Sequence, residues 1–315
     1  MRIALITPYP TSARNGNAHT ALRWARFLRM TGHQVEVAVE WDGQPTDLMI
    51  ALHARRSYTA LAAFSQVYPH HPLILVLTGT DLYRDIQTDP TAQHALQLAT
   101  RLVVLQPRGL DELSARLQAK TRVIFQSAPV LMARPKRIRT FDVCVVAHLR
   151  DEKDPLRAAQ AAALLPPESH VRVLHVGAAL TPEMEQQAKH CQQHPRWKWL
   201  GARTHADTRR LIAGCRLLVQ SSRMEGGANT IVEAVSAGVP VLASHISGNI
   251  GMLGEDYSGY YPLADSEALA QLMHRAETEP DFYAELAALC AARAPLFEPR
   301  CERAAVQNLI KEFET

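Results

Sequence analysis

Short apolar runs recur from the first residues, each followed by a longer stretch with helical spacing, and this alternation constrains the fold more than any other feature. Ile3–Thr7, Val35–Val39, Leu48–Leu52, Leu73–Leu77, Leu102–Leu105 and Val123–Phe125 read as strands covered on both faces of a parallel sheet. Between them lie amphipathic stretches such as Ala18–Met30, where Ala21, Trp24, Ala25 and Leu28 form one apolar stripe. Repeated strand–helix units of this kind predict a doubly wound α/β sheet. The pattern lapses over Met132–Thr140, which holds four cations and a proline and reads as a linker. It then restarts with strands at Val143–Ala147, Val171–Val176, Trp197–Leu200, Leu217–Gln220 and Val239–Ala243, and helices at about 154–165, 181–193, 206–214, 228–237 and 265–278.

The expected organisation is a first α/β domain over 1–131, a linker over 132–140 and a second α/β domain over 141–295, with a terminal helix over about 296–315 packing back on the first. A chain of 315 residues agrees, since domains run to about 100–200 residues. The 34 basic and 31 acidic side chains leave a net charge of +3, too little to expect nucleic acid as a partner, though single cations can still hold small anions. Cys144, Cys191, Cys215, Cys290 and Cys301 are odd in number and widely spaced, so they read as reduced thiols. The apolar stretch after Arg2 is too short for a signal-peptide core and no run is long enough for a membrane span, so a cytoplasmic protein is expected.

In open α/β sheets ligands bind beyond the carboxyl ends of the strands, so the loops there carry the chemistry. No G-x-G-x-x-G and no P-loop lysine motif follows any strand, which removes dinucleotide and P-loop readings. After Leu217–Gln220 comes Ser221-Ser222-Arg223-Met224-Glu225-Gly226-Gly227-Ala228-Asn229-Thr230, leading into a helix. Glycines at 226 and 227 allow backbone amides to approach a ligand, and the helix aims its free N–H groups at the same space, as a diphosphate requires. Glu233, one turn in, can accept from a sugar diol. A turn with two solvated glutamates is the plainer alternative. After Val143–Ala147, His148 to Asp154 leads to Pro155, expected in the first turn of a helix, with Lys153 just outside it. A surface lysine and a strand-end core histidine are the alternatives there.

The first domain offers Arg14, Asn15, Gly16 and Asn17 after its first strand, His53, Arg55 and Arg56 after Leu48–Leu52, and Thr78 to Arg84 after Leu73–Leu77. Arginine forks at strand ends suit a phosphate-like group. Arg23, Arg26 and Arg29 repeat every three residues opposite the apolar stripe and read as a solvated face, with contact to anionic membranes as the alternative. His190, Cys191 and His194 lack a second ligand pair, so no metal is expected.

Glu225 and Glu233, in the segment EGGANTIVEAVSAGVPVLAS, resemble the E-x7-E segment of GT-B glycosyltransferases of the glycosyltransferase 4 type. In the same order lie Gly16, GHQVEV at Gly32–Val37, TGTD at Thr78–Asp81, HLRDEK at His148–Lys153 and WLGARTH at Trp199–His205, so the resemblance covers nearly the whole chain. It implies an α/β GT-B fold, two Rossmann-like doubly wound parallel-sheet domains facing a central cleft. It also implies that Glu233 holds the ribose of a UDP-sugar, that Glu225 lies at the sugar and that Lys153 contacts the diphosphate. His148, Arg203, Gly226, Gly227, Ala228, Asn229 and Thr230 complete the expected donor site. Two positions depart from the family pattern: His148 stands where an arginine is usual, and Thr78 where the turn usually has a histidine.

ALHARRSY, LTGTDLYRD, HLRDEKDPLRAA and SGNIGMLGEDYSGYY look like the selenosugar synthases of selenoneine biosynthesis. That resemblance implies transfer of a sugar from a UDP-sugar such as UDP-N-acetylglucosamine to selenophosphate, with release of UDP and phosphate and no further cofactor. The expected acceptor residues are Arg14, Asn15, Gly16, Asn17, His53, Arg55, Arg56, Thr78 and Thr80, and the expected catalytic residues Lys153, Glu225 and His53. An anionic acceptor explains the arginines, and selenium needs little help from a base. A GT-B transferase with a hydroxyl or lipid acceptor, a UDP-sugar epimerase and a non-catalytic nucleotide-sugar sensor remain alternatives.

Overall fold

The computed structural model describes residues 1–13, 15–132 and 134–314. These form two compact units, the first comprising Met1–Gln126, Glu225–Gly227 and Pro299–Thr315 and the second Ser127–Met224 and Ala228–Glu298. The expected break at 131/132 is thus displaced to 126/127. Ala128 N–H donates to the Phe297 carbonyl at 3.2 Å and Leu131 N–H to that of Ser236 at 3.4 Å, which ties residues after 127 to the second unit.

The first unit is built on a parallel sheet of β1 (Arg2–Ile6), β2 (Gln34–Ala38), β3 (Leu48–Leu52), β4 (Leu73–Leu77), β5 (Arg101–Val104) and β6 (Thr121–Val123), ordered β2-β1-β3-β4-β5-β6. Every residue of β3 and β4 is buried, as strands covered on both faces require. One face packs Trp24 and Leu28 of the helix Gly16–Arg29 with Val306, Leu309 and Ile310 of the C-terminal helix Pro299–Lys311. The other packs Leu61 and Phe64 of the helix Tyr58–Val67 and Leu96 of the helix Pro90–Leu98.

The arginine stripe does not form a solvated face throughout. Arg23 and the Trp24 indole both donate to the buried Glu302 carboxylate, which joins the C-terminal helix to the first one. Arg29 is exposed, yet one of its guanidinium nitrogens donates to the Val35 carbonyl at 2.5 Å; Arg26 is exposed.

The second unit repeats the design with β7 (Phe141–Val146), β8 (Val171–Val176), β9 (Trp197–Trp199), β10 (Leu217–Gln220), β11 (Val241–Ser244) and β12 (Tyr260–Tyr261), ordered β12-β11-β10-β7-β8-β9 and all parallel. Its helices include Arg157–Ala163, Pro182–Cys191, His205–Gly214, Asn229–Ser236 and Ser266–Thr278. Ser247–Leu253 and Pro280–Arg293 add helices outside the sequence reading. The first contains two glycines, which disfavour a helix locally, but Gly248 to Leu253 are all buried and packing decides the conformation. Among the described residues no helix is long and apolar enough to cross a membrane.

Candidate active site

In each sheet the strand order reverses once, between β1 and β3 in the first unit and between β7 and β10 in the second. Loops leaving such neighbours diverge to opposite faces and open the crevice where α/β sheets bind ligands. The loops following β1, β3, β7 and β10 therefore border these crevices.

In the second unit, His148 follows β7 half-buried, and its Nδ1 accepts from the Ala178 N–H at 3.1 Å, beside a bridge between Leu149 and Ala179. Asp151–Lys153 form one 3-10 turn and Asp154 takes the left-handed conformation at φ 42°. Pro155 therefore does not open a helix as expected. The chain must first leave that turn, and the next helix begins at Arg157, whose guanidinium is held by Asp154 at 2.8 Å. Ser221 Oγ lies 3.1 and 2.9 Å from the carbonyls of Lys153 and Asp154, and Arg223 N–H donates to the Glu152 carbonyl at 2.9 Å. The Lys153 turn is thereby stitched to the loop after β10.

Below these loops His175 lies fully buried on β8, and its Nε2 sits 2.9 Å from the Ala147 carbonyl. Burial pushes its imidazole down to about 4, against the opposing pull of that hydrogen bond. A neutral ring donates from Nε2 and fixes the end of β7, where His148 begins.

The helix Asn229–Ser236 starts after Ala228 with no side-chain cap on its first-turn amides. Thr230 Oγ1 donates to Gln220 Oε1 at 2.6 Å and Gln220 Nε2 donates to Ser222 Oγ at 2.9 Å, so the Thr230 hydroxyl proton serves the loop itself. Glu233 keeps 12% of its side-chain surface exposed and lies 2.5 Å from His205 Nε2. His205 is a partner the sequence reading missed, because nothing local links the first residue of one helix to a carboxylate 28 positions on. Arg203 is exposed on the loop before His205, on the side of Asp207.

In the first unit Arg14 falls outside the described residues. Asn15 caps the first helix by accepting from Ala18 N–H at 3.0 Å, Gly16 is exposed as that helix's first residue, and Asn17 is half-buried. After β3, His53 takes φ 75° and its Nε2 lies 3.1 Å from Thr80 Oγ1. The fully buried Asp81 accepts from the N–H groups of Thr78, Gly79 and Ala54, each at 2.9 Å, which locks the turn after β4 to the turn after β3.

Arg55 donates to Asp85 Oδ2 at 2.9 Å and Arg84 to Oδ1 at 3.2 Å, while Arg56 lies 5.0 Å from the centre of the Tyr9 ring. Burial pushes the Asp85 carboxyl up, but these two guanidinium bonds outweigh it and hold it below the ordinary carboxylate range. Asp85 was missed as well. It closes a π-helical turn, Asp81–Asp85, which the short periodic patterns used for strands and helices do not signal.

Glu225–Gly227 cluster with the first unit, and Glu225 is 7% exposed. A Cβ on Gly226 would lie 2.4 Å from the Thr78 carbonyl carbon, and one on Gly227 would lie 2.6 Å from Leu105 Cβ. Chain-on-chain packing therefore leaves no room for a side chain at either glycine. Among the described residues no group of three or more His, Cys, Asp or Glu is placed to hold a metal ion.

Two six-stranded parallel sheets, each with helices on its faces and one switch point, define the GT-B class. The family model for glycosyl transferases group 1 matches residues 134–293, and the chain belongs to that family. The fold is similar to that of HepE from Anabaena solved with UDP-glucose, at TM-score 0.80 and 20% identity over 99% of this chain and 100% of that one. It is similar also to sucrose-phosphate synthase from Thermosynechococcus elongatus, at TM-score 0.81 and 15% identity over 99% of this chain and 98% of that one. In sequence it is 23% identical over 305 residues to glycosyltransferase 1 domain-containing protein 1 of Xenopus tropicalis, covering 85% of this chain and 86% of that protein.

Proposed function

We propose that the protein transfers the sugar of a UDP-sugar, UDP-N-acetylglucosamine in the first instance, to selenophosphate and so makes a 1-selenosugar. Selenium attacks the anomeric carbon, and a C–Se bond forms as the C–O bond to UDP breaks and its electron pair leaves with UDP. Water then cleaves the P–Se bond and releases phosphate.

The observation that carries the donor assignment is Glu233. It is a largely buried carboxylate one turn into the uncapped helix that follows β10, the strand at the β7/β10 switch point. A carboxylate there can take a ribose diol while the helix amides face a diphosphate. HepE, which shares the fold, has been solved with UDP and with UDP-glucose. In this reading Lys153 and the amides of Gly227 to Thr230 meet the charge that develops on the leaving diphosphate. No metal is then needed, and a chelator is expected to leave turnover unchanged.

Support for the acceptor comes from the resemblance of ALHARRSY and LTGTDLYRD to selenosugar synthases and from the guanidinium groups at those segments. Arg55 and Arg84 both bind the Asp85 carboxylate, Asp89 lies 3.9 Å from Arg55, and Arg56 is exposed next to Arg55 in the chain. The cluster can take a small anion. Incubating purified protein with UDP-N-acetylglucosamine and selenophosphate should release UDP. No release with selenophosphate, alongside release with a hydroxyl acceptor, would refute the acceptor.

A further inference from the structure

The hydrogen-bond direction between His53 and Thr80 can be read from the backbone around them. His53 is 3% exposed, and its Nδ1 faces the Arg56 N–H at 3.4 Å. A backbone N–H can only donate, so Nδ1 holds a lone pair and the ring proton sits on Nε2. That Nε2–H donates to Thr80 Oγ1 at 3.1 Å. The Thr80 hydroxyl proton therefore turns away from His53, and among the described residues no protein acceptor takes it. A second ring proton would set Nδ1–H against the Arg56 N–H. The charged groups facing the ring are Asp85, 4.0 Å from Nε2, and Arg55 and Arg84, which hold that carboxylate.

We propose that Thr80 is a specificity-determining residue whose hydroxyl donates to an acceptor that arrives as an anion, and that His53 positions this hydroxyl instead of acting as a general base. A hydroxyl acceptor must lose a proton as it attacks, and neither ring nitrogen offers a free lone pair to receive it. An ionised selenophosphate has no such proton to lose, and it can accept the Thr80 hydrogen bond. The role expected for His53 from the resemblance changes accordingly, from catalysis to positioning. This inference deepens the transferase reading and rests on it.

The test uses the full chain with UDP-N-acetylglucosamine and selenophosphate. Thr80→Val removes the donor at nearly constant shape, and the selenophosphate KM should rise about 10–100-fold, the loss of a hydrogen bond to a charged group, while the donor KM holds. Thr80→Ser should restore it. The pH profiles of kcat/KM for the wild type and His53→Gln should share the same inflections, because no imidazole proton moves. An unchanged acceptor KM in Thr80→Val, or an inflection that His53→Gln removes, would overturn the proposal. If the wild type instead uses only a hydroxyl acceptor, the selenophosphate reading fails. The same pH comparison with that acceptor then decides the role of His53: a lost inflection refutes positioning, and a retained one supports it.

Discussion

Glu233 accepts a hydrogen bond from His205 Nε2 at 2.5 Å, and the histidine side chain that supplies it is half exposed. The exposed ring contacts a carboxylate whose side chain keeps 12% of its surface exposed, and in the proposed donor site a ribose diol replaces the ring as hydrogen-bond donor. Glu233→Ala is expected to weaken UDP binding about 10–100-fold, as removal of a charged hydrogen-bond acceptor implies. His205→Ala should change it far less. Calorimetric titration with UDP measures both, and an unchanged affinity in Glu233→Ala would remove the ribose assignment.

Arg55 and Arg84 meet on Asp85, so Arg55, one of the arginines proposed for the acceptor, is held in place. Replacing Arg55 and Arg56 together by alanine should raise the selenophosphate KM about 10-fold or more while the donor KM stays constant. Asp85→Asn removes the charge that aligns Arg55 and should harm the same constant. Equal loss on donor and acceptor sides would mean that the cluster only supports the fold.

Legibility in the sequence followed the range of the forces involved. β3 and β4 were read to the residue because burial on both faces leaves a continuous apolar run. The two-residue β12 and the glycine-bearing helix Ser247–Leu253 carry no such periodic signature, and their conformation is set by packing. Glu233 and Lys153 stand out in the sequence because a local motif marks them. Asp85, His205 and Glu302 were missed because each acts through a partner distant in the chain, at separations of 30, 28 and 279 residues. The reading of Pro155 failed on one backbone angle, the left-handed Asp154.

Glu302 accepts from Arg23 at 2.6 and 3.0 Å and from Trp24 Nε1 at 2.8 Å, with none of its side chain exposed. Removing one member of a buried pair leaves the other charge without compensation, which costs about 3–5 kcal/mol. Glu302→Ala is therefore expected to lower unfolding stability by that order and to loosen the helix Pro299–Lys311. Urea unfolding gives the first and amide exchange of that helix the second. A loss below ~1 kcal/mol would show that the pair contributes little net energy.

His175 ties stability to pH through a group that takes no part in the proposed reaction. Burial holds its imidazole near about 4, whereas the unfolded chain titrates near about 6.5. Below about 6.5 the unfolded state binds a proton that the folded state refuses, so stability falls as pH drops and the loss levels off once the folded ring protonates near about 4. The gap between the two values corresponds to on the order of 3 kcal/mol. The protein should thus be measurably less stable at about pH 4.5 than at about pH 7, and His175→Gln, which keeps an amide donor for the Ala147 carbonyl, should lose much of that difference. Urea titrations at both pH values test it. Equal pH dependence in the two proteins would show that His175 is not the group responsible, and that other buried or paired side chains set the acid limb.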